Sequence, residues 1–514
     1  MAQTITVGAD TPSVSCPSED VTCRGVADAP INQFLWDITL PAVRAAWAAG
    51  REYAESGTNY VPRVARPQYK ENDSGWPSTL VANRFGRAAD DSQIEWSEMF
   101  GPAGEQFTRV AIEDVPELSN AIDEVVAAAK RDPDFASRMN VFNGSENDEW
   151  AEGQLRFEYR KRFVAEIIAR ADATGVDSDD DLLDIYLQLE RARFWTTLKG
   201  DLVVPVILTD FGSDTPIELS DDVRIERMSD ELQCARAPEV LYSTEVNPYL
   251  TAAATHAIVV QEITIDNSSY FLRVFGGRRD ISPVTVSDIE KVDRAIQVTH
   301  IVTRTRTGYT QLLVRPQGWA DGWTADLPPI WKFSTRNNYP PSEDCQPPWN
   351  TQRQPLDANQ VTEIASAFGS LSTAPKYVGL ASRRAIRAMM RTDDEDRTLD
   401  AMIGIEALLL DNQPELKFRM ALRAAAALYD EYEPATIFGI AKNVYDHRSE
   451  IAHGSAPKKA TFTHGGQTWR SADIAPFLLQ ELLRNYLLSP KPWTKEELDD
   501  RVLAALAVYS PGGE

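Results

Sequence analysis

The sequence predicts an α+β protein, mainly α, built as a helical region, a β-rich region and a C-terminal helical bundle. Three observations lead there. Apolar residues recur at helical spacing through much of residues 31–200 and again after Asp357. Between these stretches the period shortens to β-branched runs separated by turn residues. Composition is that of an ordinary globular chain, with 43% apolar and 25% charged residues over 514 positions, room for two to four domains.

Taken in order, residues 1–30 are polar and rich in Ser, Thr, Pro and Asp, and read as a flexible tail. Region 31–200 carries its clearest helices at 43–54, 119–130, 153–171 and 180–198. The acidic run from Asp177 resembles a calcium loop, but such a loop needs Gly at its sixth and Glu at its twelfth position, where Leu182 and Gln188 stand. It reads instead as a helix N-terminus. Region 201–335 is β-rich, with expected strands at 202–208, 223–228, 257–265, 270–275, 296–305 and 311–314. Arg304 and Arg306 would then share one solvated strand face. Trp319, Trp323, Trp331 and Trp349 sit among Pro-rich turns, either anchoring loops on a core or stacking bases. Segment 336–357 is dense in Pro, Asn and Gln and reads as a linker. Domain 358–514 follows, with helices expected at 358–369, 376–391, 396–411, 414–430, 434–452, 471–488 and 495–508.

The charge balance narrows the function. Formal net charge is −25, so the chain cannot coat nucleic acid through bulk attraction; RNA binding would need a local patch working against the overall field. There is no secretory signal and no apolar run of the ~18 residues a membrane span needs. Cys16, Cys23, Cys234 and Cys345 form no CxxC pair, which reads as reduced thiols in a cytoplasmic protein without a zinc site. Neither a metal nor a cofactor is expected.

Three of the five His lie within 18 residues near the C-terminus: His447, His453 and His464. The segment runs Val444-Tyr-Asp-His-Arg-Ser-Glu-Ile-Ala-His-Gly454. Arg448 and His453, five apart, differ by about 140° on a helix, whereas Ser449 and His453 share a face. Gly454 is a natural helix stop and puts His453 in the last turn. An accessible imidazole there can move protons near neutral pH, and a guanidinium one turn back can hold a phosphate. Such a set suits RNA cleavage by the ribose 2′-hydroxyl. The same residues also suit the negative end of a helix dipole and can simply cap it. From spacing alone both readings stand.

The wider segment resembles the HEPN superfamily, and within it the Apea-like HEPN group found in prokaryotic defence systems. The resembling residues are Leu380-Ala-Ser-Arg-Arg-Ala-Ile-Arg387, then Asp396-Arg-Thr-Leu-Asp-Ala-Met-Ile-Gly-Ile-Glu-Ala-Leu-Leu-Leu410. Glu415-Leu-Lys-Phe-Arg-Met-Ala-Leu-Arg-Ala-Ala-Ala426 and Ile437 through Gly454 complete a stretch of about 75 residues. The resemblance implies an α-helical bundle, a homodimer or higher even oligomer, and metal-independent endoribonuclease activity. It puts Arg448 and His453 at the family's RxxxxH pair, Ser449 at a small polar position beside it, and Glu406 where a carboxylate can orient the arginine. Arg419 and Arg423, four apart, are candidates for contact with RNA or for internal ion pairs. Ser455 stands two residues past His453, where nucleotidyltransferase-partnered toxins of the family carry Tyr, which argues against that arrangement.

The resulting expectation is a cytoplasmic RNase effector in abortive infection, a defence against phage. Residues 1–335 would sense a phage-derived or cellular trigger and restrain the nuclease. The alternative is a non-catalytic dimeric HEPN protein serving interaction or regulation.

Overall fold

The computed structural model describes residues 29–57, 60–64, 68–80, 93–139, 148–242, 248–267, 285–319, 332–333, 352–411, 416–454, 461–464 and 467–507. Most of the 1–30 tail, the expected strand at 270–275, Trp323, Trp331, Trp349 and Ser455 lie outside them. Among the described residues no helix is long and apolar enough to cross a membrane.

The N-terminal helices are α1 (Gln33–Glu55), α2 (Pro116–Arg131), α3 (Pro133–Arg138), α4 (Asp148–Tyr159), α5 (Ala165–Thr174) and α6 (Asp179–Phe194). A π-helical turn, Arg160–Val164, joins α4 to α5. They enclose their own core, with Leu35, Trp47, Trp96, Leu118, Phe163 and Tyr186 buried. The acidic run does start a helix: the Ser178 side chain accepts the Asp181 amide at the head of α6. Buried Glu190 of α6 accepts the amides of Ile31 and Asn32 at 2.8 and 2.7 Å, tying down the start of α1.

A six-stranded antiparallel sheet follows. Its strands are β1 (Thr197–Val206), β2 (Ile217–Ser220), β3 (Val223–Arg227), β4 (His256–Asp266), β5 (Leu312–Gln317) and β6 (Lys332–Phe333), in the order β6-β5-β1-β4-β3-β2. β1 is buried throughout from Gly200 to Val206 because both faces are covered there. Leu202, Val204 and Val206 point into the main core. Val203, with Ala257 and Val259 of β4, meets Leu232 of α7 (Asp230–Tyr242) and Leu250 of α8 (Pro248–Ala252) on the other face.

One expected strand is a helix. Residues 296–303 form the end of α9 (Val286–Thr303), capped by Thr285 accepting the Asp288 amide at 3.2 Å. The run is β-branched, which favours a strand in isolation. However, Ile289, Val292, Ile296 and His300 repeat at three or four and pack between sheet and bundle, so tertiary packing overrides local preference. The Thr299 and Thr303 hydroxyls donate to carbonyls four residues back. Arg304 is accordingly not on a strand face: it ends the helix with φ +59° and pairs with buried Glu481.

The C-terminal helices are α10 (Ala358–Thr373), α11 (Lys376–Met390), α12 (Asp394–Leu409), α13 (Leu416–Ala427), α14 (Pro434–Ala452), α15 (Ser471–Leu488) and α16 (Lys495–Ala507). A hairpin the periodicity did not suggest, β7 (Thr461–His464) and β8 (Gln467–Arg470), precedes α15. α12 and α15 approach closely because position 404 is Gly; a Cβ there would stand 2.6 Å from a Leu479 methyl. The core runs unbroken from the sheet through α9 into this bundle, and includes Leu202, Ile296, Phe368, Ile405 and Leu479.

Candidate active site at the end of helix α14

α14 opens with Pro at its first turn, where a missing amide costs nothing. Ile437, Ile440, Ala441, Val444 and His447 form its buried face. It ends as Gly454 implies: the His453 amide donates to the Ser449 carbonyl at 3.1 Å, the Gly454 amide to Ile451 at 3.0 Å, and Gly454 takes φ +65°. His453 is therefore the last residue of the turn, and it is exposed.

Arg448 points away from the Ser449–His453 side, toward α12. Its Nε lies 3.5 Å from Glu406 Oε1 and makes no hydrogen bond, so charge rather than a directed bond holds the guanidinium. Both side chains are partly buried, with 32% exposure for Arg448 and 24% for Glu406. Burial pushes the Glu406 carboxyl above its ordinary range, and the neighbouring Arg448 only partly opposes this. The four residues singled out in the sequence thus separate into an oriented arginine–glutamate pair and a face that carries half-buried Ser449 and exposed His453, joined by one turn of helix.

His447 does not join them. It lies on the opposite, buried face with Nδ1 unpartnered, and burial lowers its pKa against the pull of Glu450, Glu395 and Asp394. Of the two readings open for Arg423, the structure shows the internal ion pair. Arg423 is 2% exposed; Nε and Nη2 donate to Asp499 at 2.8 and 2.6 Å, and Nη1 donates to the Leu409 carbonyl at 2.6 Å. A guanidinium occupied in this way is a clamp between α12, α13 and α16, not a ligand for RNA. Arg419 lies 3.5 Å from Asp411.

A groove went unnoticed in the sequence. Leu416, Lys417 and Phe418 at the head of α13 and Lys442 and Tyr445 of α14 line an open hollow of about 700 Å³. Phe418 meets Phe438 edge-on at 5.6 Å, and the Lys442 ammonium stands 5.2 Å from the Phe438 ring. The signal was available. Positions 438, 442, 445, 449 and 453 repeat at three or four and fall within about 80° of one another on a helix, so groove and His453 share one stripe of α14. Comparison with protein-family models, curated proteins and solved structures returned no match.

Proposed function

We propose that the protein is an endoribonuclease effector whose chemistry needs no metal and is carried by Arg448 and His453. The supporting observation is the division of labour in α14: Arg448 is oriented from behind by Glu406, while His453 stands exposed at a helix end. In this reading an imidazole takes the proton from a ribose 2′-hydroxyl. The 2′-oxygen attacks phosphorus, the bond to the 5′-oxygen breaks, and that oxygen leaves protonated. The products are a 2′,3′-cyclic phosphate and a 5′-hydroxyl. Arg448 stabilises the charge that gathers on the phosphoryl oxygens.

One motif supplies one imidazole, and both a base and an acid are needed. A homodimer or higher even oligomer that faces two motifs across its two-fold axis provides the second. The proposed setting is cytoplasmic abortive defence against phage, with residues 1–335 responding to a phage-derived or cellular trigger. The test is RNA cleavage by purified full-length protein in EDTA, with the product ends mapped. Arg448→Ala and His453→Ala should each lower the rate by about 10²–10⁴-fold, the usual worth of a proton-transfer or charge-stabilising group. Wild-type rates in both variants would remove the assignment.

A further inference from the structure

We propose that the groove between α13 and α14 receives an unpaired nucleobase of single-stranded RNA, with Lys442 on an adjoining phosphate. This rests on the ribonuclease reading and adds to it a base-binding subsite at a stated place on α13 and α14. The groove is an aromatic slot with a cation at its edge. Phe418 is 52% exposed and offers its ring to the hollow, and Tyr445 forms part of the same wall. Stacking on such rings tolerates any base but requires that the base be out of a helix.

Charge favours RNA over an apolar partner. Only 13 lysines occur in a chain of net charge −25, yet two of them line this one hollow. Lys417 is held by Asp446 at 2.5 Å, so it serves as wall. Lys442 has no carboxylate partner among the described residues, and its ammonium stands beside the Phe438 ring, where it can meet an anion. The volume of about 700 Å³ falls within the range of roughly 300–1,000 Å³ typical of small-molecule sites. Distance links groove to chemistry. Tyr445 and His453 are eight residues apart, about 12 Å along the helix, or three to four nucleotides at ~3.4 Å each in a stacked strand.

The test is fluorescence anisotropy on the full-length protein with a labelled 12-nucleotide single-stranded RNA carrying 2′-O-methyl sugars, which cannot be cut by 2′-oxygen attack. Phe418→Leu and Tyr445→Leu should each weaken binding about tenfold. Lys442→Ala should flatten the slope of log affinity against log salt by about 0.7. The matching duplex should bind at least tenfold more weakly than the single strand. Phe418 and Lys442 are surface positions, so those two variants should keep the wild-type melting temperature and remain decisive even if Tyr445→Leu folds poorly. No RNA binding by wild type, or unchanged affinity in the variants, overturns the proposal. So does a change of molecular mass by light scattering in Phe418→Leu without RNA, which would mark the groove as a seam between copies. If His453→Ala still cleaves but the binding pattern holds, the catalytic assignment falls and the subsite stands; a dead His453→Ala with unchanged groove variants gives the reverse.

Discussion

Glu406→Gln should move stability and activity in opposite directions, and that divergence separates an orienting carboxylate from a merely structural one. Glu406 is three-quarters buried, and burial outweighs Arg448 in setting its pKa above the ordinary carboxylate value. A raised pKa in the folded state means that the charged form is the costly one. Its contribution to stability is complete below the ordinary carboxylate pKa and is lost as pH rises through the folded value. At pH 7 the neutral amide should therefore be tolerated or stabilising, with the two proteins converging toward pH 4. Catalysis should suffer. The 3.5 Å contact is a charge interaction between partly exposed groups, worth roughly 0.5–1 kcal/mol once solvent screening is allowed for. Losing it should lower kcat/KM about 2- to 5-fold, at ~1.4 kcal/mol per factor of ten. The assay is a melting series from pH 4 to 8 beside RNA-cleavage kinetics at pH 7. If activity falls only in proportion to lost folded protein, or Glu406→Gln cleaves at the wild-type rate while Arg448→Ala is dead, Glu406 does not orient the arginine.

Two further outcomes follow from buried groups. Arg423→Ala should destabilise the protein by about 1–3 kcal/mol, because it leaves the Leu409 carbonyl without its donor and removes the tie to Asp499; a melting temperature equal to wild type would show that the clamp carries nothing. Burial holds His300 at a pKa of about 4, with Nδ1 donating to the Thr305 carbonyl and Nε2 accepting from Gln480. The unfolded chain takes up this proton near pH 6.5 and the folded chain does not. His300 should therefore cost the fold about 2 kcal/mol between pH 7.5 and 5. His300→Asn should show a correspondingly flatter dependence of melting temperature on pH, and parallel curves would contradict the assignment.

The helices of the C-terminal bundle were legible because their ends are written locally. Asp357 and Gln360 form a capping box, Asp393 caps α12, and Gly454 stops α14. The motif was equally visible, since spacing alone puts Ser449 and His453 together and turns Arg448 aside. What failed was whatever depends on partners distant in sequence. α9 is β-branched throughout its second half, and only the sheet and bundle packed around it make it helical. For Arg423 spacing leaves RNA contact and an internal ion pair both open, and only Asp499, 76 residues away, decides for the pair. The hairpin at 461–470 is exposed wherever its side chains are described, so it lacks the buried alternation that marks a strand.

The continuous core also bears on whether the C-terminal bundle is portable. Ile364, Phe368 and Leu371 of α10 are buried in the core shared with the sheet, and Phe368 lies beneath the Arg294 guanidinium of α9. Severing the chain at residue 357 and uncovering those three side chains would cost roughly 5–9 kcal/mol, at about 1.5–3 kcal/mol each. An entire domain commonly has only about 5–15 kcal/mol to lose. The bundle is therefore poorly suited to being shuffled onto other chains or freed by a protease. Under the proposed sensing role, a signal received upstream would reach α14 as a displacement conducted through packed side chains, since detachment would remove much of the stability of the bundle.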